Sequence, residues 1–377
     1  MLNICDINRC TGCSACYNIC PKKAISMIKD KFGFYIPKID NEKCIDCKMC
    51  QRVCQVNVEP SKNKPIITYA VYNKDDKKRA ESTSGGIASL LSNKMIEMNG
   101  VVAGCKIDNN LKVIHSIAKN YQELDQFKNS KYVQSYLGNI FLEIKNYLEN
   151  NKKVLFIGTP CQVSGLKCYL QKDYDNLFTV DIICHGVPSI NFLEDHIKEI
   201  EEKYKIKCDN FKFREGNAYK FQVFSNNKLY YSKNSNEDYY LKGFLSGVLN
   251  RKSCFSCKHT NEKRVSDITI GDFWGIGKEK EFIDNGVKDV SVALVNTNKG
   301  HEFLLKCKDE LFIEERPTME AIKGNRPLQR PGIIDKRYDK FRSEYVNGGF
   351  KKASSKCFKY EIIRYKIKTI VKRLINK

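Results

Sequence analysis

Long apolar runs are missing from this 377-residue sequence. The longest clean stretches look like Val154-Leu155-Phe156-Ile157, far short of the roughly 18–20 apolar residues that a membrane-spanning helix needs. The first residues, Met-Leu-Asn-Ile-Cys-Asp, have neither a charged start nor an apolar core. No signal peptide is therefore expected, and the protein is read as cytoplasmic. No G-x-G-x-x-G follows a strand, and no G-x-x-x-x-G-K precedes Ser or Thr, which argues against a Rossmann dinucleotide site and a P-loop. Acidic residues are in deficit, 44 against 65 basic, for a formal charge of +21. The excess is spread along the chain with no accompanying nucleic-acid motif, so no nucleic-acid partner is expected. Hydrophobic residues at 42% and aromatics at 11% exclude a disordered or fibrous chain.

Cysteine is abundant, at 18 residues. In a reducing compartment that number points to metal before disulfides. Two runs share one spacing: Cys10-x2-Cys13-x2-Cys16-x3-Cys20-Pro21 and Cys44-x2-Cys47-x2-Cys50-x3-Cys54. This is the bacterial two-cluster ferredoxin pattern, in which the fourth cysteine of each run ligates the other run's cluster. Three thiolates at short spacing wrap one corner of a cubane, and the fourth must come from elsewhere to close it. Cys10, Cys13, Cys16 and Cys54 are accordingly assigned to one 4Fe–4S cluster, and Cys44, Cys47, Cys50 and Cys20 to a second. C-x-x-C also suits zinc, but eight cysteines in this doubled order fit zinc poorly. The second run departs from the pattern in one respect: Gln55 stands where the first run has Pro21. That departure concerns the shape of one turn and leaves the ligand count intact.

Ten cysteines remain. Cys161 follows an apolar strand and a Gly-Thr-Pro turn, Cys184 ends another apolar run and precedes His185, and Cys254 and Cys257 form a further C-x-x-C. Two single cysteines at strand ends and one pair make four ligands. From the residues alone, that set is open to a third cluster, a zinc site or ordinary buried thiols. Cys168 reads as packing, and Cys5, Cys105, Cys208, Cys307 and Cys357 read as structural.

Periodicity divides the chain. Residues 1–58 form the ferredoxin-like domain, and 59–66, with two prolines, a linker. Alternating strand and helix patterns follow in 67–150 and 151–330, the N-terminal and C-terminal parts of one domain, so an α+β ferredoxin-like domain precedes a mixed α/β one. Strands are expected over 67–72, 101–107, 113–118, 154–158 and 178–184. Helices are expected from Ser84-Gly85-Gly86 through Met98 and over 141–150, 162–171 and 191–204, with a hairpin around Asn226-Asn227. Residues 331–377 are the tail. From Lys351 onward it carries ten basic residues and one acid, with Ile363, Ile367, Ile370, Val371 and Leu374 at helical spacing, which makes a basic amphipathic helix. Its stripe is read as packing on the body, as lying peripherally on an anionic membrane at the inner face, or as docking against an acidic partner.

Several segments together resemble the beta subunit of the coenzyme F-420-reducing hydrogenases and dehydrogenases. This family also includes flavoprotein reductases such as 7-hydroxymethyl chlorophyll a reductase, and bacterial members often encoded with polysaccharide genes. The segments are Ser84-Gly85-Gly86, Lys131-Tyr132-Val133-Gln134-Ser135, Gly158-Thr159-Pro160-Cys161-Gln162, Cys184-His185-Gly186-Val187-Pro188-Ser189, Cys254-x2-Cys257 and Ser266 through Gly275. The resemblance implies a flavin-binding α/β domain with bound FAD and a third 4Fe–4S cluster on Cys161, Cys184, Cys254 and Cys257. It also implies that Ser84, Gly85, Gly86, Lys131, Tyr132 and Gln134 line the flavin. His185, beside Cys184, is read as a donor to a cluster sulfur or a structural loop histidine, Asp272 as a polar site residue or a solvated turn acid, and Trp274 as a site residue or a core aromatic. Clusters pass single electrons and flavin exchanges one or two. The expected activity is thus oxidoreduction of an organic substrate, linked to an electron donor or acceptor protein and, on the family's gene associations, to surface polysaccharide metabolism. The alternative is a relay subunit with no chemistry of its own.

Overall fold

The computed structural model describes residues 3–375. Its first lobe is built twice over from one turn. In each cysteine run a non-glycine residue between the second and third cysteines is left-handed, Ser14 at φ 60° and Lys48 at φ 60°, and a short helix follows (Ala15–Ile19 and Met49–Arg52). A positive φ is uncommon outside glycine. Here it reverses the chain so that the next amides face back toward the sulfurs. Between the runs, β1 (Ile25–Lys29) and β2 (Tyr35–Ile39) pair antiparallel.

The segment expected to be a linker is laid down along the second lobe. Asn63 and Arg264 exchange both backbone hydrogen bonds, and the Ile66 amide donates to the Val295 carbonyl. Next come β3 (Ile67–Asn73), β4 (Val101–Ile107), β5 (Val113–Ala118), β6 (Val154–Gly158), β7 (Leu177–Ile182), β8 (Asn210–Glu215), β9 (Ala218–Ser225), β10 (Lys228–Asn234), β11 (Ile268–Asp272), β12 (Ser291–Val295) and β13 (Leu311–Glu315). Eight of these make one sheet in the order β13-β3-β12-β11-β7-β6-β4-β5. The centre, β4-β6-β7-β11, is parallel, and the flanking pairs are antiparallel. Val154, Leu155 and Phe156, all buried, show the unbroken apolar run of a strand covered on both faces. The two parts expected at 67–150 and 151–330 contribute strands to this same sheet, so residue 150 marks no break in it.

Parallel strands place their carboxyl ends on one edge, which is where such sheets build sites. β6 ends at Gly158, before Cys161. β7 ends at Ile182, before Cys184. β11 ends at Asp272, paired with Ser291 at the start of antiparallel β12. β3 also arrives there and leads into Ser84–Gly86.

A second core lies under the three-stranded sheet β8-β9-β10. Phe192, Phe211, Phe213, Phe221, Tyr240, Phe341, Phe350 and Phe358 are fully buried in it. The Asn226-Asn227 hairpin turn is present, with both residues left-handed (φ 49° and 60°), as a tight two-residue turn requires. The closing helix begins at Tyr338, earlier than the sequence suggests, and is interrupted at Gly349 (φ 70°). Beyond the interruption Phe350, Ala353, Phe358 and Ile362 are buried, while Ile363, Ile367, Ile370 and Val371 are 44–57% exposed. The body thus covers the helix only as far as Ile362, and the expected stripe stands free of it. The Leu374 side chain falls outside the described part. Among the described residues, no helix is long and apolar enough to cross a membrane.

Candidate metal centres

Two small pockets in the first lobe are lined by thiols. One is walled by Cys10, Cys13, Cys16 and Cys54, with Thr11, Ala15, Met27, Pro37 and Val56. The other is walled by Cys20, Cys44, Cys47 and Cys50, with Ile25, Ile39 and Met49. Each cavity takes three cysteines from one run and one from the other, in the crossed order that the spacing suggests. Backbone amides are aimed at the sulfurs: Gly12 toward Cys10, Ala15 toward Cys13, and Val56 and Asn57 toward Cys54. The Ala24 amide lies 3.3 Å from Cys20 Sγ. Such N–H donors, with an apolar shell, are what hold and tune sulfur-ligated iron. Four sulfurs to each group, three from one run and one from the other, are the donor set that a 4Fe–4S core takes.

Sequence reasoning missed Cys5. It lines the first cavity as a fifth thiol. Its hydrogen bonds to Cys10 and Cys54 hold it protonated, and the same contacts pull Cys10 down to about 6 and Cys54 to about 7. No spacing rule singles it out, because the doubled motif is complete without it.

The third group assembles at the carboxyl edge of the large sheet. Cys161 sits in the first turn of the helix Pro160–Leu170. Its start combines proline at the first position with a capping box in which the Thr159 amide donates to Gln162 Oε1 at 2.9 Å. Cys184 follows β7, and its Sγ accepts from the Gly186 amide at 3.4 Å. Cys254 lies in the 3-10 turn Lys252–Ser256, with Cys257 just after it. All four thiols are desolvated, and Cys257, Cys184 and Cys254 each add to the burial that raises Cys161. Burial first, then the neighbouring sulfurs, pushes Cys184 up to about 12, and burial, with a smaller push from Cys257, lifts Cys254 to about 11. Burial raises all four thiols. Arg264 frames this group. It is buried and forms an ion pair with buried Asp181 at 2.8 Å, and it donates to the His259 carbonyl at 2.7 Å and to Thr269 Oγ1 at 3.1 Å.

The residues expected to line a flavin are more dispersed. Ser84 and Gly85 are committed to the start of β12: the Ser84 hydroxyl donates to the Val290 carbonyl, and the Gly85 amide donates to Ser291 Oγ at 2.9 Å. A side chain at Gly85 would meet the Val71 carbonyl at 2.4 Å, so glycine here serves close packing. Gly86, at φ 77°, heads the helix Ile87–Glu97, whose first amides have no intrahelical acceptor. The Lys131 ammonium is held by the carbonyls of Phe127 (2.8 Å) and Lys128 (2.7 Å), and burial pulls it down to about 8. Tyr132 stacks on Phe244 at 4.7 Å, and its hydroxyl accepts from Arg214, which is paired with Asp272 at 3.0 Å. Gln134 is buried against the first lobe, where its Oε1 accepts from the Tyr35 amide at 3.0 Å. Ser84, Gly85, Lys131, Tyr132, Gln134 and Asp272 thus all have polar groups hydrogen-bonded within the protein. His185 is exposed at the surface, and the partial desolvation of its ring lowers its pKa. Trp274 is 44% exposed and so is not a core aromatic.

Both lobes have matches among known proteins. Residues 151–321 match the family model for the C terminus of the coenzyme F420 hydrogenase/dehydrogenase beta subunit, and residues 9–58 match the 4Fe–4S dicluster domain. A coenzyme F420-dependent sulfite reductase of Methanocaldococcus jannaschii is 23% identical over 348 residues, 86% of this chain and 50% of that protein. The chain thus spans about half the length of that relative. An uncharacterized ferredoxin of the same organism is 41% identical over 54 residues, 14% of this chain and 69% of its own. Among solved structures, a chain of the F420-reducing [NiFe] hydrogenase complex from Methanosarcina barkeri aligns with 78% of this chain and 91% of its own, at 17% identity and a TM-score of 0.47.

Proposed function

We propose that this chain, which joins a 4Fe–4S dicluster domain to the C-terminal domain of the coenzyme F420 hydrogenase/dehydrogenase beta-subunit family, is an oxidoreductase carrying three 4Fe–4S clusters and a flavin. One observation carries the reading. Twelve cysteines gather as three groups of four, two of them lining separate cavities in crossed chain order. Cys10, Cys13, Cys16 and Cys54 would hold the first cluster, Cys20, Cys44, Cys47 and Cys50 the second, and Cys161, Cys184, Cys254 and Cys257 the third. A flavin, taken as FAD, would sit at the carboxyl edge, with the first turn of the helix Ile87–Glu97 toward its phosphates and the Tyr132–Arg214–Asp272 group beside it. When bound, such a set converts single electrons to pairs. The chain's own part is to shield the thiols from water, aim amides at their sulfurs and keep Arg214 charged beside Asp272.

The outer partner would be a one-electron donor or acceptor protein, and the inner one an organic substrate; the deazaflavin coenzyme named for the relatives is one candidate. Anaerobically purified protein is expected to be brown, with about twelve iron atoms, from three four-iron clusters, and one flavin. Colourless protein loaded with zinc would end the reading. Iron without flavin, and no flavin-dependent reduction of small acceptors by dithionite-reduced protein, would favour the relay subunit.

The tail supports a peripheral site of action. Its uncovered Ile363, Ile367, Ile370 and Val371 are flanked by Lys359, Arg364, Lys366, Lys368 and Lys372. Each basic group near an anionic lipid surface contributes about 1 kcal/mol. The full chain is expected to sediment with anionic but not neutral vesicles, and to be released by high salt. Truncation after Ile362, which spares the buried Phe358 and Ile362, should abolish the binding. Equal recovery of full and truncated protein in the supernatant at low salt would defeat this.

A further inference from the structure

We propose that Gln55 is a positioning residue that couples the first thiol group, Cys10, Cys13, Cys16 and Cys54, to the third, and that the protein's internal one-electron exchange between lobes depends on it. The inference rests on the reading that both groups hold clusters. Gln55 is 5% exposed, and both ends of its side-chain amide are used. Nε2 donates to Thr11 Oγ1 at 2.7 Å and to the Cys161 carbonyl at 2.8 Å, while Oε1 accepts from His259 Nε2 at 2.8 Å. The orientation is forced, because the Cys161 carbonyl can only accept, so the amide nitrogen must face it. His259 is then the Nε2–H tautomer. One side chain therefore ties a residue next to Cys54 to the loop between Cys10 and Cys13, to a cysteine of the third group, and to the residue two beyond another.

The surrounding contacts converge on the same pair of groups. A side chain added at Gly165, one helical turn after Cys161, would meet Cys13 Sγ at 2.9 Å. Arg251, three residues before Cys254, donates to the Cys10 carbonyl at 2.6 Å and to the Tyr35 carbonyl at 2.9 Å. The Lys258 ammonium reaches the Val56 carbonyl at 3.4 Å. Each contact lands on a segment that carries or adjoins the first group. The Cys20–Cys44–Cys47–Cys50 group is thus the outer one, and the first group is the inner one. Proline after Cys54, as in the other run, offers no side-chain donor or acceptor. The departure at position 55 is what builds the bridge.

The exchange would balance without chemistry at Gln55: one electron would leave a cluster held by the inner group and the same electron would reach one held by the third, with no bond broken and no proton moved. The reductant is the low-potential one-electron donor, for which dithionite substitutes in the test. Gln55→Leu and His259→Phe, each made in the full chain and purified anaerobically, are expected to keep the parent's full iron and flavin content. In the fully reduced state, the electron paramagnetic resonance broadening due to interaction between the first and third clusters should weaken, because it falls with the separation that the bridge holds, with Cys161→Ala as the spectrum lacking it. Flavin reduction through the clusters should slow in the same variants, and Gln55→Glu should fail to restore it, since a carboxylate cannot donate to the Cys161 carbonyl. Parental spectra and flavin reduction in both variants would overturn the proposal. So would loss of iron from either group in both, because Gln55 would then be a folding residue only. A parent protein without three clusters would instead defeat the underlying reading, which its iron content shows before any variant is made.

Discussion

Cys161→Ala is expected to remove about four of about twelve iron atoms, leave the first lobe loaded, and disconnect the flavin from it. Cys161 lies in the first turn of a helix whose start is set by Thr159, Pro160 and Gln162, so the backbone survives the substitution. Only the thiol disappears, and the remaining Cys184, Cys254 and Cys257 cannot close a four-iron core. Cys257→Ala should behave alike, because Cys257 stands on a separate loop held by its own contacts. Cys13→Ala should do the converse, emptying the inner cavity of the first lobe while the third group keeps its iron. Iron and sulfide analysis together with visible absorbance checks all three. Full iron and normal flavin reduction in Cys161→Ala would show the third group to be misplaced. The cysteine replacements also calibrate the others, because they define the spectra of protein lacking one cluster at a time.

The second large effect belongs to Arg264. Its guanidinium and the Asp181 carboxylate are both almost wholly buried, and it also holds the loop after Cys257 through the His259 carbonyl. Removing one member of a buried pair leaves the other as an uncompensated charge, at a cost of about 3–5 kcal/mol. Arg264→Leu is therefore expected to lower the anaerobic unfolding midpoint markedly and to release iron from the third group before the rest. The double replacement Asp181→Leu with Arg264→Leu should recover most of the stability, because the penalty is the orphaned carboxylate rather than the lost attraction. Thermal unfolding followed by cluster absorbance reads both effects. Parental stability in Arg264→Leu would show that the pair carries no such load.

Neither Arg264 nor Arg251 could be picked out of the sequence. They flank a C-x-x-C that looks complete by itself, and a basic residue in a chain with 65 of them carries no signal. Asp181 was hidden inside an apolar run for the same reason: only pairing across strands shows that it faces Thr269 and meets a cation. Lys131 and Gln134 show the other limit. Their segment was recognisable, yet what a side chain touches depends on which loop folds over it. The carbonyls after the helix Tyr121–Asp125 capture the lysine, and the first lobe covers the glutamine. The tail was half legible. Its periodicity is local and could be read, but where the body stops covering it depends on the interruption at Gly349 and on the aromatic core beneath.

What the sequence by itself determined was chemistry bound to local spacing. The doubled cysteine runs, the strands feeding Cys161 and Cys184, and the capped helix after Thr159 all depend on residues a few positions apart. Backbone geometry alone then sets what they can reach. The tertiary structure alone decided what lies between those units: which thiol group faces which, that Cys5 joins the first cavity, and that Gln55 spans two lobes. Those facts follow from packing two surfaces, where one glycine at 165 permits close approach and one buried amide must find partners for every donor and acceptor it carries. A linear motif records the ligands of each centre; the distance between centres is a property of the interface that buries them.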